Sequence, residues 1–244
     1  MSSNKITRRI LVIPDTHAPY HDAKAFELVS RVARGEKPTD AVVIGDFADC
    51  AAVSSHPKTP ERKFFWQDEL DTARALLARV RGWSDVLHFI EGNHETRLSR
   101  YVMDNAPELH GSHPSIRELL GVEKREWTAY REHKMIGKVA FTHDVGHSGP
   151  GALSQTLTAV GSNVVFGHTH RLGVIYDGAL DGTHRFAMSV GWLGDVSAAS
   201  NMHKAKLRSW QLGFGWVNQT SSGLSFAQAC PIVRGHVVVN GRLY

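Results

Sequence analysis

Val86-Leu-His-Phe-Ile-Glu-Gly-Asn-His-Glu95 runs from an apolar stretch straight into a polar cluster, and the same transition recurs four more times along the chain. Ile10-Leu-Val-Ile13 leads to Asp15-Thr-His17, Ala41-Val-Val-Ile44 to Gly45-Asp-Phe-Ala-Asp49, Val139-Ala-Phe-Thr142 to His143, and Asn163-Val-Val-Phe166 to Gly167-His-Thr-His170. A short apolar run bounded by glycine and polar residues reads as a buried strand. In open α/β sheets, ligands bind in the crevice beyond the carboxyl ends of the strands, so strand ends from distant parts of a chain can deliver their residues to one place. The pattern describes one polar site assembled by the whole fold.

Between these runs the chain alternates. Strand Arg9–Ile13, helix Ala23–Ala33, strand Ala41–Ile44, helix Glu61–Arg81 and strand Val86–Ile90 follow one another, and the second helix repeats Leu70, Ala73, Leu76, Leu77 and Val80 at the spacing of a core-facing stripe. Such alternation predicts a parallel sheet with right-handed crossovers. Residues 105–126, with Pro107, His110, His113, Pro114 and Gly121, interrupt it and carry a short helical pattern, Ser115–Leu120. They are expected to form an excursion over one edge of the site. From Trp127 the runs shorten to Val139–Phe141, Leu172–Tyr176, Arg185–Val190 and Ile232–Val239, and Asn240-Gly241 reads as a hairpin turn. The expected fold is α/β, with a second sheet packed on the first and helices outside. No Pro/Gly/Ser-rich linker separates the clusters, so residues 1–244 read as a single domain.

Hydrophobic residues make up 42% of the chain, and no apolar run approaches the roughly 18 residues of a membrane span. The first residues lack the long apolar core of a secretory signal, so a cytoplasmic protein with no membrane partner is expected. Cys50 and Cys230 stand far apart with no CxxC spacing, which argues for reduced, structural thiols. The net charge of +4 and pI of about 9.1 suit an anionic substrate without demonstrating nucleic-acid binding. Of the 15 histidines, His17, His94, His143, His168 and His170 fall inside the polar clusters.

Asp15 and His17 stand two apart in a segment expected to be extended, which points both side chains the same way, and His168 and His170 share the spacing. Asp46, at the end of a central strand, could bridge two cations, and Asn93 adds a neutral oxygen. Imidazole and oxygen donors without sulfur suit manganese, iron or zinc and suit copper(I) poorly. Asp49 could orient a ligand or cap the segment that follows. Arg97 could reach a phosphate or be a solvated helix charge, and His110, His113 and His147 read as ordinary loop residues. The stretch from His203 to Trp210, continuing to Phe214 and Trp216, could stack on a nucleic-acid strand. Core-facing aromatics on a strand of the second sheet are the simpler reading.

The ordered motifs Asp-x-His, Gly-Asp-x-x-Asp, Gly-Asn-His-Glu, His and Gly-His-x-His, spanning residues 15–170, resemble the calcineurin-like metallophosphoesterase superfamily. The resemblance implies a two-sheet sandwich flanked by helices. It implies two divalent transition metal ions, manganese first, one held by Asp15, His17, Asp46 and His170 and the other by Asp46, Asn93, His143 and His168. A hydroxide shared by the cations would attack phosphorus in line, while His94 donates a proton to the leaving alkoxide. Glu95 is expected to orient His94 or raise its basicity.

The expected reaction is hydrolysis of a phosphodiester in a nucleotide or nucleic acid. A serine/threonine protein phosphatase, or another phosphomonoesterase, is the alternative, because that branch also writes Gly-Asn-His-Glu. It typically has arginine where Cys50 stands and glycine where Ala18 stands. A non-catalytic metal-binding scaffold is a third reading, against which the complete ligand set argues.

Overall fold

All four residues Ile10 to Ile13 are sealed from solvent, so the strand that carries them must be covered on both faces. The computed structural model, which describes residues 4–56, 65–178, 180, 182–199 and 209–244, does so with four layers. Leu11 and Ile13 of β1 (Ile6–Ile13) join Phe26, Leu28 and Val29 of α1 (Ala23–Glu36), Ala41 and Val43 of β2 (Asp40–Val43), Leu77 and Val80 of α2 (Trp66–Arg81), and Leu87 and Phe89 of β3 (Val86–Ile90). Asp22 starts α1 by accepting from the Lys24 and Ala25 amides, the usual N-cap arrangement. The stripe Leu70, Ala73, Leu76, Leu77 and Val80 of α2 is buried as its spacing predicts. The start expected at Glu61 lies outside the described residues.

After β3 come α3 (Arg97–Asn105), α4 (Ile116–Leu119) and the short β4 (Trp127–Thr128). Ser115 and Glu118 form a capping box on α4. Ile116, Leu120 and Val122 enter the core beneath the helices. Arg74 Nε donates to Leu119 O, and Arg81 Nη2 donates to Gly121 O. The part of the excursion from Ile116 to Val122 therefore lies against α2, where its apolar residues find cover. His110 is exposed.

Ile10, Val12, Val42, Ile44 and Ile90 point the other way. They meet a second sheet built from β5 (Lys134–Ile136), β6 (Val139–Thr142), β7 (Asn163–Phe166), β8 (Leu172–Gly178) and β9 (His184–Val190), through Phe141, Val165, Phe186, Met188 and Val190. The outer face of that sheet is covered by α5 (Ala152–Val160) through Leu157. Burying each such side chain contributes about 1.5–3 kcal/mol, which makes the inter-sheet layer a principal source of stability. Among the described residues no helix is long and apolar enough to cross a membrane.

The first sheet runs β11-β10-β1-β2-β3-β4, where β10 is Gly213–Thr220 and β11 is Ser225–Pro231; the second runs β5-β6-β7-β9-β8. Strands β1 to β4 are mutually parallel, as are β6, β7 and β9. Phe214 and Trp216 are buried strand aromatics, but they belong to the first sheet, because β10 pairs antiparallel with β1. The strand expected at Ile232–Val239 is broken: Arg234 and Gly235 take φ of 50° and 79° in a tight turn that pairs Val233 with His236. The chain then resumes as β12 (Val238–Val239), paired with β13 (Arg242–Leu243) across Asn240-Gly241, whose φ values of 49° and 80° are those of the expected hairpin turn.

Candidate metal centre

Because β1, β2 and β3 are parallel in one sheet and β6 and β7 in the other, their carboxyl ends open on one side of the sandwich, and all five polar clusters meet there. The backbone reaches the site by bending. His17, Asp46, His168 and His170 have φ of 52°, 47°, 65° and 55°, so the extended geometry expected for Asp15 to His17 and for His168 to His170 gives way to left-handed turns. Residues other than glycine held there cost about 1–3 kcal/mol each and persist only where their surroundings over-determine them. The surroundings do so: Thr16 N and His17 N both donate to Asp46 O, at 3.0 and 2.9 Å, and Gly167 N donates to His143 O at 3.1 Å. A Cβ on Gly92 would collide with Asp46, and one on Gly167 would stand 2.6 Å from Asp15 Oδ1.

Among the described residues, three groups of donors lie close enough to hold a metal ion: Asp15, His17 and His170; Asp46, His143 and His168; and His17, Asp49 and His94. In the first, His17 Nε2 and His170 Nε2 face each other at 3.1 Å. His17 Nδ1–H donates to Asp49 Oδ1 at 2.9 Å, which leaves a lone pair on Nε2, so the facing pair requires a proton or a cation between its members. Asp15 Oδ2 is buried without a hydrogen bond, 3.1 Å from His170 Nε2. In the second group, His143 Nδ1–H donates to Ile44 O at 2.8 Å and turns Nε2 toward Asn93 Oδ1 at 3.1 Å and Asp46 Oδ1 at 3.4 Å. His168 Nδ1 is 2.9 Å from the same Asn93 oxygen. Converging lone pairs, buried carboxylates and an orphaned oxygen fit a divalent cation.

The electrostatics agree. Burial works to raise the Asp46 carboxyl, but the charges of His143 and His94 hold it well below the usual range. Burial works to lower His143, yet Asp46 and Asp15 push it up to about 10. A cation there would displace a proton.

Around these groups the structure separates two roles that sequence left open. Asp49 does not cap the 3-10 turn Ala51–Val53, whose N-cap Cys50 makes no side-chain bond. Its Oδ1 accepts from His17 Nδ1 and from His94 Nδ1 at 3.0 Å. Burial opposes its ionisation, but these two imidazoles keep it far below the usual carboxylate range. Glu95 does not touch the His94 ring in the way expected. It turns back into the fold and accepts from Gly92 N at 2.8 Å, Asp46 N at 2.9 Å and Ala48 N at 2.9 Å. Burial, then the Asp46 charge, raise it to about 7. His94 is lowered by burial, and its Nε2 accepts from Arg97 Nη2 at 2.9 Å. Arg97 Nη1 also donates to Asp49 O at 2.6 Å, so Arg97 is a site residue and not a solvated charge.

Sequence reasoning passed over Trp192 and gave Trp210 a different role. Trp192, in the loop after β9, forms a bridge to Asp15, and Leu193 N donates to Asp15 O at 2.9 Å. Trp210 packs on His170. The β9 end opens beside the other clusters, but a search for polar residues passes over an indole; the run Gly191-Trp-Leu-Gly194 was the available signal.

A family model for the calcineurin-like phosphoesterases matches residues 8–172. The chain belongs to that family. It is accordingly a metallophosphoesterase, a hydrolase acting on phosphoric esters. It is 28% identical to the Gene 54 protein of Mycobacterium phage D29, over 98% of this chain and 99% of that one. It is 27% identical to the Gene 54 protein of Mycobacterium phage L5 over the same shares. The fold is similar to that of Vacuolar Protein Sorting 29 from Cryptosporidium parvum, with a TM-score of 0.51, 12% identity, and coverage of 98% of this chain and 96% of that one.

Proposed function

We propose that the chain is a binuclear phosphodiesterase acting on nucleotides or nucleic acid, with two divalent transition metal ions, manganese foremost. Asp15, His17, Asp46 and His170 would hold one ion, and Asp46, Asn93, His143 and His168 the other. The observation that carries this reading is that Asp15–His17–His170 and Asp46–His143–His168 are two separate groups, each within ligand range. The third group is the weaker alternative, because Asp49 Oδ1 is already engaged by two ring N–H groups. When bound, the cations supply Lewis acidity toward phosphoryl oxygens and toward water.

The chain's own residues do the rest. Asp49 fixes the His94 ring, and as water attacks phosphorus and the bond to the leaving oxygen breaks, His94 Nε2, protonated from solvent, delivers a proton to that oxygen. Nε2 accepts from Arg97, so the arginine turns to a phosphate oxygen when substrate enters and frees that nitrogen to carry a proton. Cys50, buried and 1% exposed, offers no charge where a protein phosphatase has arginine, which favours a diester monoanion over a monoester dianion. The pI suits an anionic substrate; residues 203–208 of the basic stretch lie outside the described residues. The pairing of β1 with β10 supports reading 1–244 as one domain, and a cytoplasmic location accompanies this reading.

The test is metal content against rate on an aryl phosphodiester. Asp46→Asn is expected to weaken both positions and Asp15→Ala mainly one. Full metal content and rate in Asp46→Asn would refute the shared ligand.

A further inference from the structure

His170 differs from His17 and His143 in what holds it. His17 and His143 each spend Nδ1 on a hydrogen bond, to Asp49 Oδ1 and to Ile44 O, the outer contact by which a metal-binding histidine is normally oriented. His170 Nδ1 is buried and has no hydrogen-bond partner among the described residues. The final torsion of a histidine is broad and roughly two-fold, so without such a bond the ring needs another restraint. Two indoles supply it. Trp192 lies nearly parallel to the ring, at 14° with centroids 5.3 Å apart, and Trp210 meets it at 80° and 4.2 Å. The indoles also touch each other, at 4.8 Å and 66°.

The backbone locks this box. Gln211 N donates to His170 O at 2.9 Å, and Trp192 N donates to Gln211 O at 3.1 Å. Trp192 is 4% exposed and belongs to the core in any reading. Trp210 is only half-buried, so its contact with His170 is not explained by core filling alone.

We propose that Trp210, with Trp192, is the positioning residue of His170, replacing the missing outer hydrogen bond by packing. Occupancy of the Asp15–His17–His170 position then depends on an aromatic ring at residue 210, whereas the Asp46–Asn93–His143–His168 position does not. This rests on the metal assignment above.

The test titrates the metal-free full chain with Mn2+ alone, by calorimetry and by tryptophan fluorescence. The wild type is expected to bind two ions. Trp210→Ala is expected to lose about 10–100-fold in affinity at one position, the scale for an outer contact of a metal ligand, and to keep the other unchanged. Trp210→Phe, which restores a ring, is expected to recover most of the loss. Leu77→Ala, a core lesion on α2, serves as the structural control and is expected to lower Tm without changing either affinity. If Trp210→Ala does not fold, Trp210→Leu keeps the bulk without the ring and is read the same way. Unchanged affinity at both positions, an equal loss at both, or no recovery in Trp210→Phe overturns the proposal. A wild-type chain that binds no Mn2+ overturns the metal assignment itself, a result distinct from the other three.

Discussion

The Asp46 amide donates to Glu95 Oε2 at 2.9 Å across 49 residues of sequence. The same oxygen accepts from Gly92 N, and Oε1 accepts from Ala48 N. One buried carboxylate thus ties the loop after β2 to the loop after β3. Glu95→Gln keeps the shape but turns an NH2 toward at least one of these N–H donors, leaving a buried donor unpaired. The expected cost is about 1–3 kcal/mol, read as a lower urea midpoint, together with reduced metal content because Asp46 and Asn93 lose their relative placement. A variant with wild-type stability and metal content would show that the clamp is dispensable.

His94→Ala is expected to lower the rate on an alkyl diester by about 10²–10⁴-fold, the usual contribution of a positioned acid, while retaining its metals. Nitrophenolate leaves without much help from a proton, so the loss on an aryl diester should be smaller. Equal losses on both substrates would assign His94 another role. Asp49→Ala should do more harm than His94→Ala, because its Oδ1 holds both His94 and His17; metal analysis separates the two variants.

The strands β1, β2, β3, β6 and β7 and the residues at their ends were legible because each signal lies within a few neighbours: an apolar run, then a polar cluster. What was not legible depends on contacts distant in sequence. The left-handed turns at His17, Asp46, His168 and His170 are imposed by cross-loop hydrogen bonds that no local pattern reports. Glu95 stands next to His94, and proximity in sequence suggested the wrong partner; its true partners include amides 47 and 49 residues away. Alternation marked Phe214 and Trp216 as buried, but it carries no information on which sheet an antiparallel strand joins. At Ile232–Val239 the apolar pattern continued across an Arg-Gly turn and concealed it.

Away from the site, Asp40 predicts an acid-sensitive contribution to stability. Its side chain is 5% exposed and accepts from His88 Nε2 at 3.2 Å and from Thr39 Oγ1 at 2.7 Å, with Arg8 Nε at 3.3 Å. Burial works to raise its pKa, and these partners bring it below the ordinary value. The folded pKa is then lower than the unfolded one of about 3.9, so the stabilisation is fully present above that value and is lost as pH falls through the folded pKa. Asp40→Asn should be less stable than wild type at pH 7, with the gap closing below about pH 4. A gap in urea midpoint that is the same at both pH values would assign the loss to packing and not to charge.

Substrate preference is the last expectation, and it follows from Cys50, which carries no charge at the position where protein phosphatases hold a phosphate-gripping arginine. A monoester dianion needs more compensating charge than a diester monoanion. Cys50 is neutral and buried, and Arg97, which rests on Asp49 O and His94 Nε2, is the cation that turns to the phosphate. With metals supplied, diesters should be turned over faster than monoesters of the same leaving group, and Arg97→Ala should raise KM for both. If the substrate is a nucleic-acid strand, activity on oligonucleotides should fall steeply between 50 and 200 mM salt, since a long polyanion releases many counterions on binding. Activity on a small aryl diester should change little over the same range. A phosphopeptide or small phosphomonoester turned over well above every diester would overturn the diesterase assignment, and a flat salt profile for oligonucleotides would remove the polymer while leaving a nucleotide-sized diester in place.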